Sequence, residues 1–279
     1  MRELAAETIT EAVAVLCVSA NLFLNEDIRC AFEQARAAEC TAMPREVLTQ
    51  MLANADIAAE QRLPICQDTG MAVVFAGIGQ DVHINGNLED AINAGVRRGY
   101  EEGYLRKSVV RDPVDRVNTK DNTPAVIHYT IVPGDKVKLV VAPKGFGSEN
   151  MSALRMLKPS DGMDGVKQAV LDAVKAAGSN PCPPIVVGVG VGGTMEKAAL
   201  MAKKALLRPI GASNNSAMWA DAERELLAGI NALDIGPAGF GGRTTALAVH
   251  IDVFPTHIAG LPVAINIGCH VTRHAETEV

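Results

Sequence analysis

Three of the six cysteines stand in segments that are typical of rigid loops. They are Cys66, Cys182 and Cys269, and proline, glycine or asparagine flanks each of them. Such loops present thiolates to a metal and donate backbone N–H groups to its sulfurs. The three are far apart in the sequence and form no C-x-x-C pair, so spacing alone leaves two interpretations open. They are ligands of one metal site, or they are unrelated structural or free thiols.

Two kinds of metal site suit three thiolates. A [4Fe–4S] cluster held by three cysteines keeps one iron without a protein ligand, and that iron is a Lewis acid for a substrate hydroxyl or carboxylate. Tetrahedral zinc is the structural competitor, and it requires a histidine as fourth ligand. His270 and His274 are close enough to Cys269 in the sequence to be candidates.

Other polar residues also occupy unusual positions. The segment 144–150, KGFGSEN, follows a predicted strand, and its backbone amides suit an anion-binding nest or an ordinary turn. Arg106 and Lys107 follow a predicted helix, where most basic residues are simply solvated. His257 lies between two apolar strands, a setting in which a lone histidine is more often structural.

A glycine-rich segment invites a nucleotide-binding interpretation. Gly188, Gly190 and Gly193 fit G-x-G-x-x-G between a predicted strand and a predicted helix. A dinucleotide-binding unit needs a second parallel strand with an acidic residue about 20 residues further on. That region is polar and then helical here, so the glycines favour a tight strand-to-helix turn.

The elements that must position these residues are helices first, then mixed strands and helices. Ile9, Val13, Leu16 and Ala20 share one face of a first helix, and Pro44 suits the first turn of a third. Asn87 and Thr194 are predicted N-caps. Residues 125–132 and 136–142, joined by Pro133-Gly134-Asp135, predict a β-hairpin. The order predicts an α+β (mixed α/β) fold in a single domain over residues 1–279, with a helical subregion over 1–60.

Composition excludes several function classes. The chain has 279 residues, 48% of them hydrophobic, and a formal charge of −6, which argues against a broad nucleic-acid-binding face. No stretch is long and apolar enough to predict a membrane-spanning helix. Residues 12–24 imitate the apolar region of a signal peptide, but an acidic leader precedes them, so we expect a buried helix in a cytoplasmic protein. Cys17, Cys30 and Cys40 are then expected to be small, buried or half-buried hydrophobic residues.

Taken together, the motifs resemble one family. CQDTG at residues 66–70, LRKSVVRDP, KGFGSEN, NPCPP, the GVGVGG turn and PTHIAGLPVAINIGC are similar to the class I, iron–sulfur-dependent fumarate hydratases. The resemblance covers essentially the whole chain and matches the cluster-binding half of the single-chain enzymes. The chain therefore looks like the α subunit of the two-subunit form. L-tartrate dehydratase α subunits share the pattern, so the motifs separate the substrates poorly.

The resemblance implies a role for particular residues. Cys66, Cys182 and Cys269 would hold a [4Fe–4S] cluster whose open iron binds the substrate. The matching substrate-site positions are Gln67, Arg106, Phe146 and Gly147, and the matching catalytic positions are Asp68 and His257. The chain departs from many single-chain members at Phe146 and Glu149, where those enzymes have glycine and alanine.

The resemblance also implies a partner. The family's proposed catalytic base, a threonine, and further carboxylate-binding arginines belong to the half that this chain lacks. A β subunit carrying those groups is therefore expected, in an α2β2 heterotetramer. The expected substrate is a small dicarboxylate, and neither nucleic acid nor a membrane is expected as a partner.

Overall fold

The computed structural model describes all 279 residues. Their contacts divide them into two compact units. Unit 1 comprises Met1–Asn25, Ala55–Gly145 and Arg273–Val279, and unit 2 comprises Glu26–Asn54 and Phe146–Thr272. Each unit has its own four-stranded sheet and its own apolar core. The single domain expected over residues 1–279 stays a prediction.

Helices and strands are both abundant, which confirms the predicted α+β class. The helices are α1 (Ala6–Leu22), α2 (Glu26–Ala38), α3 (Ala42–Gln61), α4 (Leu88–Glu102), α5 (Phe146–Glu149), α6 (Gly162–Ala177), α7 (Met195–Ala205) and α8 (Ala217–Asn231). The strands are β1 (Arg2–Ala5), β2 (Met71–Gly79), β3 (Val82–Asn85), β4 (Val126–Val132), β5 (Val137–Lys144), β6 (Ala153–Leu157), β7 (Ile185–Gly192), β8 (Ala246–Phe254), β9 (Leu261–Gly268) and β10 (Ala275–Glu278).

The three predicted N-terminal helices are confirmed. They do not belong to one unit, since α1 is part of unit 1 and α2 is part of unit 2. Residues 6–38 meet a length and hydropathy criterion for a membrane helix, a criterion that core helices and signal sequences also meet. A break at residues 23–25 separates α1 from α2. The predicted inner face of α1 is buried. Half of the most apolar 18-residue stretch within residues 6–38 is also buried inside the protein.

The sheet of unit 1 has the order β4-β2-β5-β10. Strand β4 is parallel to β2, whereas β5 is antiparallel to it. The predicted hairpin is therefore wrong, because β2 lies between the two strands that were expected to pair. The turn that follows β4 instead closes over the end of β2, where the Gly79 N–H donates to the Lys136 carbonyl at 2.9 Å.

Helices α1 and α4 cover this sheet, and two glycines let them approach closely. A Cβ on Gly95 would lie 2.6 Å from the Thr10 carbonyl oxygen, and one on Gly99 would lie 2.7 Å from that of Ala14. Asn87 caps α4 as predicted, since its side chain accepts hydrogen bonds from the N–H groups of Glu89 and Asp90. Cys17 is fully buried in this interface.

The sheet of unit 2 has the order β8-β7-β9-β6, with β8 parallel and β9 antiparallel to β7. Gly188 and Gly190 lie inside β7, beneath α7. A Cβ at these positions would lie 2.1 Å from the Ala202 carbonyl oxygen and 2.0 Å from that of Ala198. Close helix-on-strand packing therefore explains the glycines. In a dinucleotide-binding turn the glycines would follow the strand instead.

Candidate functional site

The CQDTG segment forms a loop between α3 and β2 in unit 1. The Asp68 side chain accepts a hydrogen bond from the Gly70 N–H at 2.9 Å. Gly70 has a φ of +74°, and a Cβ there would lie 2.7 Å from the Lys144 backbone nitrogen. Only glycine fits this turn, and the turn places Asp68 beside Gly145, the first glycine after β5.

Buried side chains of unit 1 fix this loop through its carbonyls. The Tyr100 hydroxyl lies 2.7 Å from the Thr69 carbonyl oxygen and 3.1 Å from that of Gly70. Burial is the main cause that raises the pKa of Tyr100, so the hydroxyl keeps the proton that it donates. Asn122, also buried, donates to the Gly70 carbonyl at 3.1 Å.

The same side chains attach the loop that carries Arg106. The Thr69 hydroxyl donates to the Arg106 carbonyl at 2.8 Å. The Asn122 side-chain oxygen accepts from the N–H groups of Ser108 and Val109 at 2.7 and 3.2 Å. The Arg106 and Gln67 side chains are exposed. Unit 1 therefore brings together the backbone segments of four predicted site residues, which are Cys66, Gln67, Asp68 and Arg106.

Unit 2 brings the other two loop cysteines together. Cys269 directly follows β9, and Cys182 precedes β7, which pairs with β9 in a register that places Val186 opposite Gly268. The His270 N–H donates to the Cys182 carbonyl at 3.1 Å, and His270 Nδ1 lies 3.1 Å from the same oxygen. Cys182 is exposed and has a φ of +55°, and Cys269 is half-buried.

A second glycine-rich loop, residues 236–242, supports the Cys182 loop. The Ala238 N–H donates to the Pro183 carbonyl at 2.8 Å. A Cβ on Gly239 would lie 2.4 Å from the Ser179 Cβ, so the Gly239 backbone lies directly against the Ser179 side chain. Sequence reasoning missed this loop, although its four glycines within seven residues were a signal.

The segment Phe146–Glu149, short helix α5, lies beside the cysteine loop of unit 2. A Cβ on Gly147 would lie 3.7 Å from the Asn180 carbonyl oxygen, two residues before Cys182. Glu149 accepts hydrogen bonds from Lys203 at 2.6 Å and from Asn266 at 2.9 Å, which joins α5 to α7 and β9. The Phe146 ring is half exposed. The departure at Glu149 thus has a structural consequence, an ion pair that fixes this segment.

His257 lies at the opposite end of the same sheet. Its loop joins β8 to β9, and the Thr256 hydroxyl donates to the Gly193 carbonyl at 2.9 Å, beyond the far end of β7. Because β7 has eight residues, about 23 Å separates its two ends. His257 lines a shallow, mainly apolar cavity of ≈ 490 Å³ with Phe254 and Trp219 among its other walls. Unit 2 does not bring His257 together with Cys182 or Cys269.

The six cysteines fall into different environments. None of them forms a disulfide, and burial raises the pKa of Cys17 to about 12. The expectation that Cys30 and Cys40 are buried or half-buried is wrong, because both are exposed on or beside helices. Residual desolvation and the Glu26 carboxylate raise the pKa of Cys30. Neither unit by itself groups three histidine, cysteine, aspartate or glutamate side chains in a way that could hold a metal ion.

Comparison with known proteins defines the class. The family model described as fumarate hydratase (Fumerase) matches residues 10–278. A protein of Methanocaldococcus jannaschii, provisionally named L(+)-tartrate dehydratase subunit alpha, is 42% identical over 274 residues, which is 96% of each chain. The L(+)-tartrate dehydratase subunit alpha of Escherichia coli strain UTI89 is 31% identical over 282 residues, covering 100% of this chain and 93% of that one.

The chain therefore belongs to the fumarate hydratase (Fumerase) family. It is a hydro-lyase enzyme, and its relatives' names identify it as an alpha-type subunit, which implies a partner subunit. The non-enzymatic alternatives, a zinc-binding or a nucleotide-binding module, are set aside by this membership.

Proposed function

We propose that this chain is the α subunit of a [4Fe–4S]-dependent hydro-lyase that hydrates fumarate reversibly to L-malate. The observation that carries the proposal is the direct hydrogen bonding between the Cys182 and Cys269 loops in unit 2. These are two of the three cysteines that the family resemblance assigns to the cluster. Cys66 of unit 1 is the third ligand in this proposal.

The residues fit such a group chemically. Thiolates are the ligands that iron–sulfur clusters require, and all three thiols are at least partly accessible and unbridged. The backbone around Cys182 is fixed from both sides, by His270 and by Ala238. When bound, the cluster would supply an iron that has no protein ligand and that acts as a Lewis acid toward the substrate hydroxyl.

The other residues would bind and orient the dicarboxylate. In this proposal Arg106 holds one carboxylate with two parallel hydrogen bonds, for which the planar guanidinium is suited. Gln67 adds a neutral donor, and the segment at Phe146 and Gly147 contributes backbone amides. Asp68 moves or orients a proton, at a carboxylate that the Gly70 N–H already holds in place.

His257 enters the proposal on different terms. The resemblance assigns it a catalytic role, and its exposed position leaves it accessible to a substrate or to another chain. His257 lies at the end of the sheet opposite Cys182 and Cys269. In a proton-transfer role it would therefore have to act together with residues that do not belong to this sheet. We retain the assignment as a proposal.

A second substrate has specific support. The relatives at 42% and 31% identity are named L(+)-tartrate dehydratase subunit alpha. L-Tartrate differs from malate by one additional hydroxyl, and its dehydration yields oxaloacetate through the same loss of water beside a carboxylate. L-Tartrate or a related hydroxy-dicarboxylate is therefore the alternative substrate.

The remaining proposals concern assembly and compartment. A β subunit supplies the rest of the active site in an α2β2 heterotetramer, in the cytoplasm, where free thiols persist. A place in the tricarboxylic acid cycle follows if fumarate is the substrate. Neither nucleic acid nor a membrane is proposed as a partner.

The test is a substrate screen on the assembled enzyme. The α chain is reconstituted anaerobically with its partner subunit, and initial rates are measured on fumarate, L-malate and L-tartrate. Higher kcat/KM on fumarate and malate supports the first proposal, and higher kcat/KM on L-tartrate supports the second. High turnover by the α chain alone would contradict the need for a partner.

A further inference from the structure

Arg273 is a buried cation of unit 1 to which the sequence patterns assign no role. It lies two residues before the start of β10 and is 4% exposed. One terminal nitrogen donates to the Asp68 carbonyl at 2.6 Å. The Nε nitrogen is buried and has no hydrogen-bond partner in the protein, and no carboxylate pairs with this guanidinium.

This arrangement is electrostatically incomplete. A guanidinium stays charged at any physiological pH, so it cannot escape burial by losing its proton. A neutral carbonyl satisfies one of its five donors and none of its charge. A buried cation is normally retained only beside an anion that compensates it.

The position of Arg273 indicates which anion this is. Its hydrogen bond reaches the middle of the Cys66–Gly70 loop, at the carbonyl of the residue proposed to handle a proton. Tyr100 and Asn122 already hold the carbonyls of the next residues in that loop through neutral donors. A neutral donor would therefore have sufficed to fix Asp68, and the additional feature of Arg273 is its charge.

We infer that Arg273 binds an anionic group held beside the Cys66–Gly70 loop. The inference rests on the proposed function, which supplies two such groups. One is the thiolate-ligated cluster held through Cys66, and the other is a carboxylate of the substrate. Both are anions that accept charge-assisted hydrogen bonds from a guanidinium.

The experiment compares three variants in the enzyme assembled with its partner subunit. Arg273→Met removes the charge and keeps an extended side chain, and Arg273→Lys restores the charge without the planar fork. Arg98→Met is the matched control, because Arg98 lies on the same unit but its side chain is 46% exposed and pairs with Glu102. Iron and sulfide content, the cluster's reduction potential and the Kd of the dicarboxylate malonate are measured for each.

Either source of the anion gives a distinct result. If the cluster is the anion, Arg273→Met loses iron or lowers the reduction potential, and Arg273→Lys recovers part of it. If a carboxylate is the anion, iron is retained and the malonate Kd rises by about tenfold to a few hundredfold. Iron content, potential and Kd all equal to those of Arg98→Met would overturn the inference.

The thermal stability of the metal-free chain separates binding from a structural role. Removing an uncompensated buried charge should leave the Tm of the metal-free Arg273→Met chain no lower than that of Arg98→Met. If the Tm of Arg273→Met falls equally in the metal-free and the loaded forms, Arg273 only stabilises the fold, and the inference is overturned. Failure of the wild-type chain to hold iron refutes the cluster proposal, and the malonate and Tm measurements still decide the role of Arg273.

Discussion

The two units share one sheet order, but the contacts described for their functional segments are of two kinds. In each, a central strand has a parallel neighbour on one side and an antiparallel one on the other, followed by a second antiparallel strand. In unit 1 buried side chains bind loop carbonyls, as Tyr100 and Asn122 do. In unit 2 a glycine of β7, Gly190, packs directly against the backbone of α7.

The difference teaches how each kind of loop should respond to mutation. One substitution can remove a single side-chain hydrogen bond, and the free energy of unfolding then falls by the contribution of that bond. A backbone contact at a glycine leaves no space for any side chain, so a single methyl group forces the elements apart. We therefore expect graded effects at the Tyr100 and Asn122 contacts of unit 1 and an abrupt effect at the Gly190 contact of unit 2.

The largest expected effect is at the proposed cluster ligands. Serine at Cys66, Cys182 or Cys269 should abolish or badly impair cluster assembly, because an alkoxide replaces a thiolate poorly. Serine at Cys30 or Cys40, both exposed, serves as the control and should leave iron and sulfide largely intact. Iron and sulfide analysis after anaerobic purification measures this. Equal losses in the controls would show that the ligand assignment is wrong.

The next effect tests backbone packing in unit 2. Gly190→Ala places a methyl group 2.0 Å from a carbonyl oxygen of α7. Overpacking costs about 1–3 kcal/mol or more, and a rigid backbone neighbour places this variant at the upper end. In β2 of unit 1, Gly77→Ala is the matched control, because its Cβ would meet nothing closer than 3.7 Å. Urea unfolding should separate the two, and similar midpoints would refute the packing argument.

The third effect concerns the exposed arginine of unit 1. Arg106→Ala should keep the cluster and lose charge-assisted bonds worth roughly 1.5–3 kcal/mol each. At about 1.4 kcal/mol per decade, kcat/KM falls by about tenfold to a few hundredfold. Arg106→Lys should recover part of the loss. Iron content is measured beside the kinetics: wild-type kinetics would remove Arg106 from the site, and lost iron would make its role structural.

The smallest effect tests the side-chain mode of holding a loop. Tyr100→Phe leaves the Thr69 carbonyl without its buried donor, which costs about 1–3 kcal/mol of the free energy of unfolding. Tyr104, 90% exposed, provides the control, and Tyr104→Phe should change that free energy by less than about 0.5 kcal/mol. Chemical denaturation measures both. Equal stability of the two variants would mean that Tyr100 does not fix the loop.

Periodicity and capping predicted most of the elements, because these signals are local. The helices at the N-terminus and the Asn87 cap were correct for that reason. The hairpin was wrong because β4 and β5 each pair with β2, which precedes them by a long segment. Pairing between distant segments is a property of the folded chain, and no turn signal encodes it.

The site was predicted only where motifs carry it. The residues around Cys66, Cys182 and Cys269 predicted their loops, whereas Asp68 was assigned only through the family resemblance, and the roles of all four stay predictions. Tyr100, Asn122 and Arg273 were not, because a buried tyrosine, asparagine or arginine at one position has no sequence pattern. Their roles become visible only when the carbonyls they reach are known.

Metal analysis of the assembled enzyme, purified without oxygen, tests the central claim most directly. The account predicts about four irons and four sulfides per α chain, in a preparation that turns over fumarate or L-tartrate. Full hydro-lyase turnover by a preparation that contains no iron, or that contains zinc in place of iron, would contradict this account.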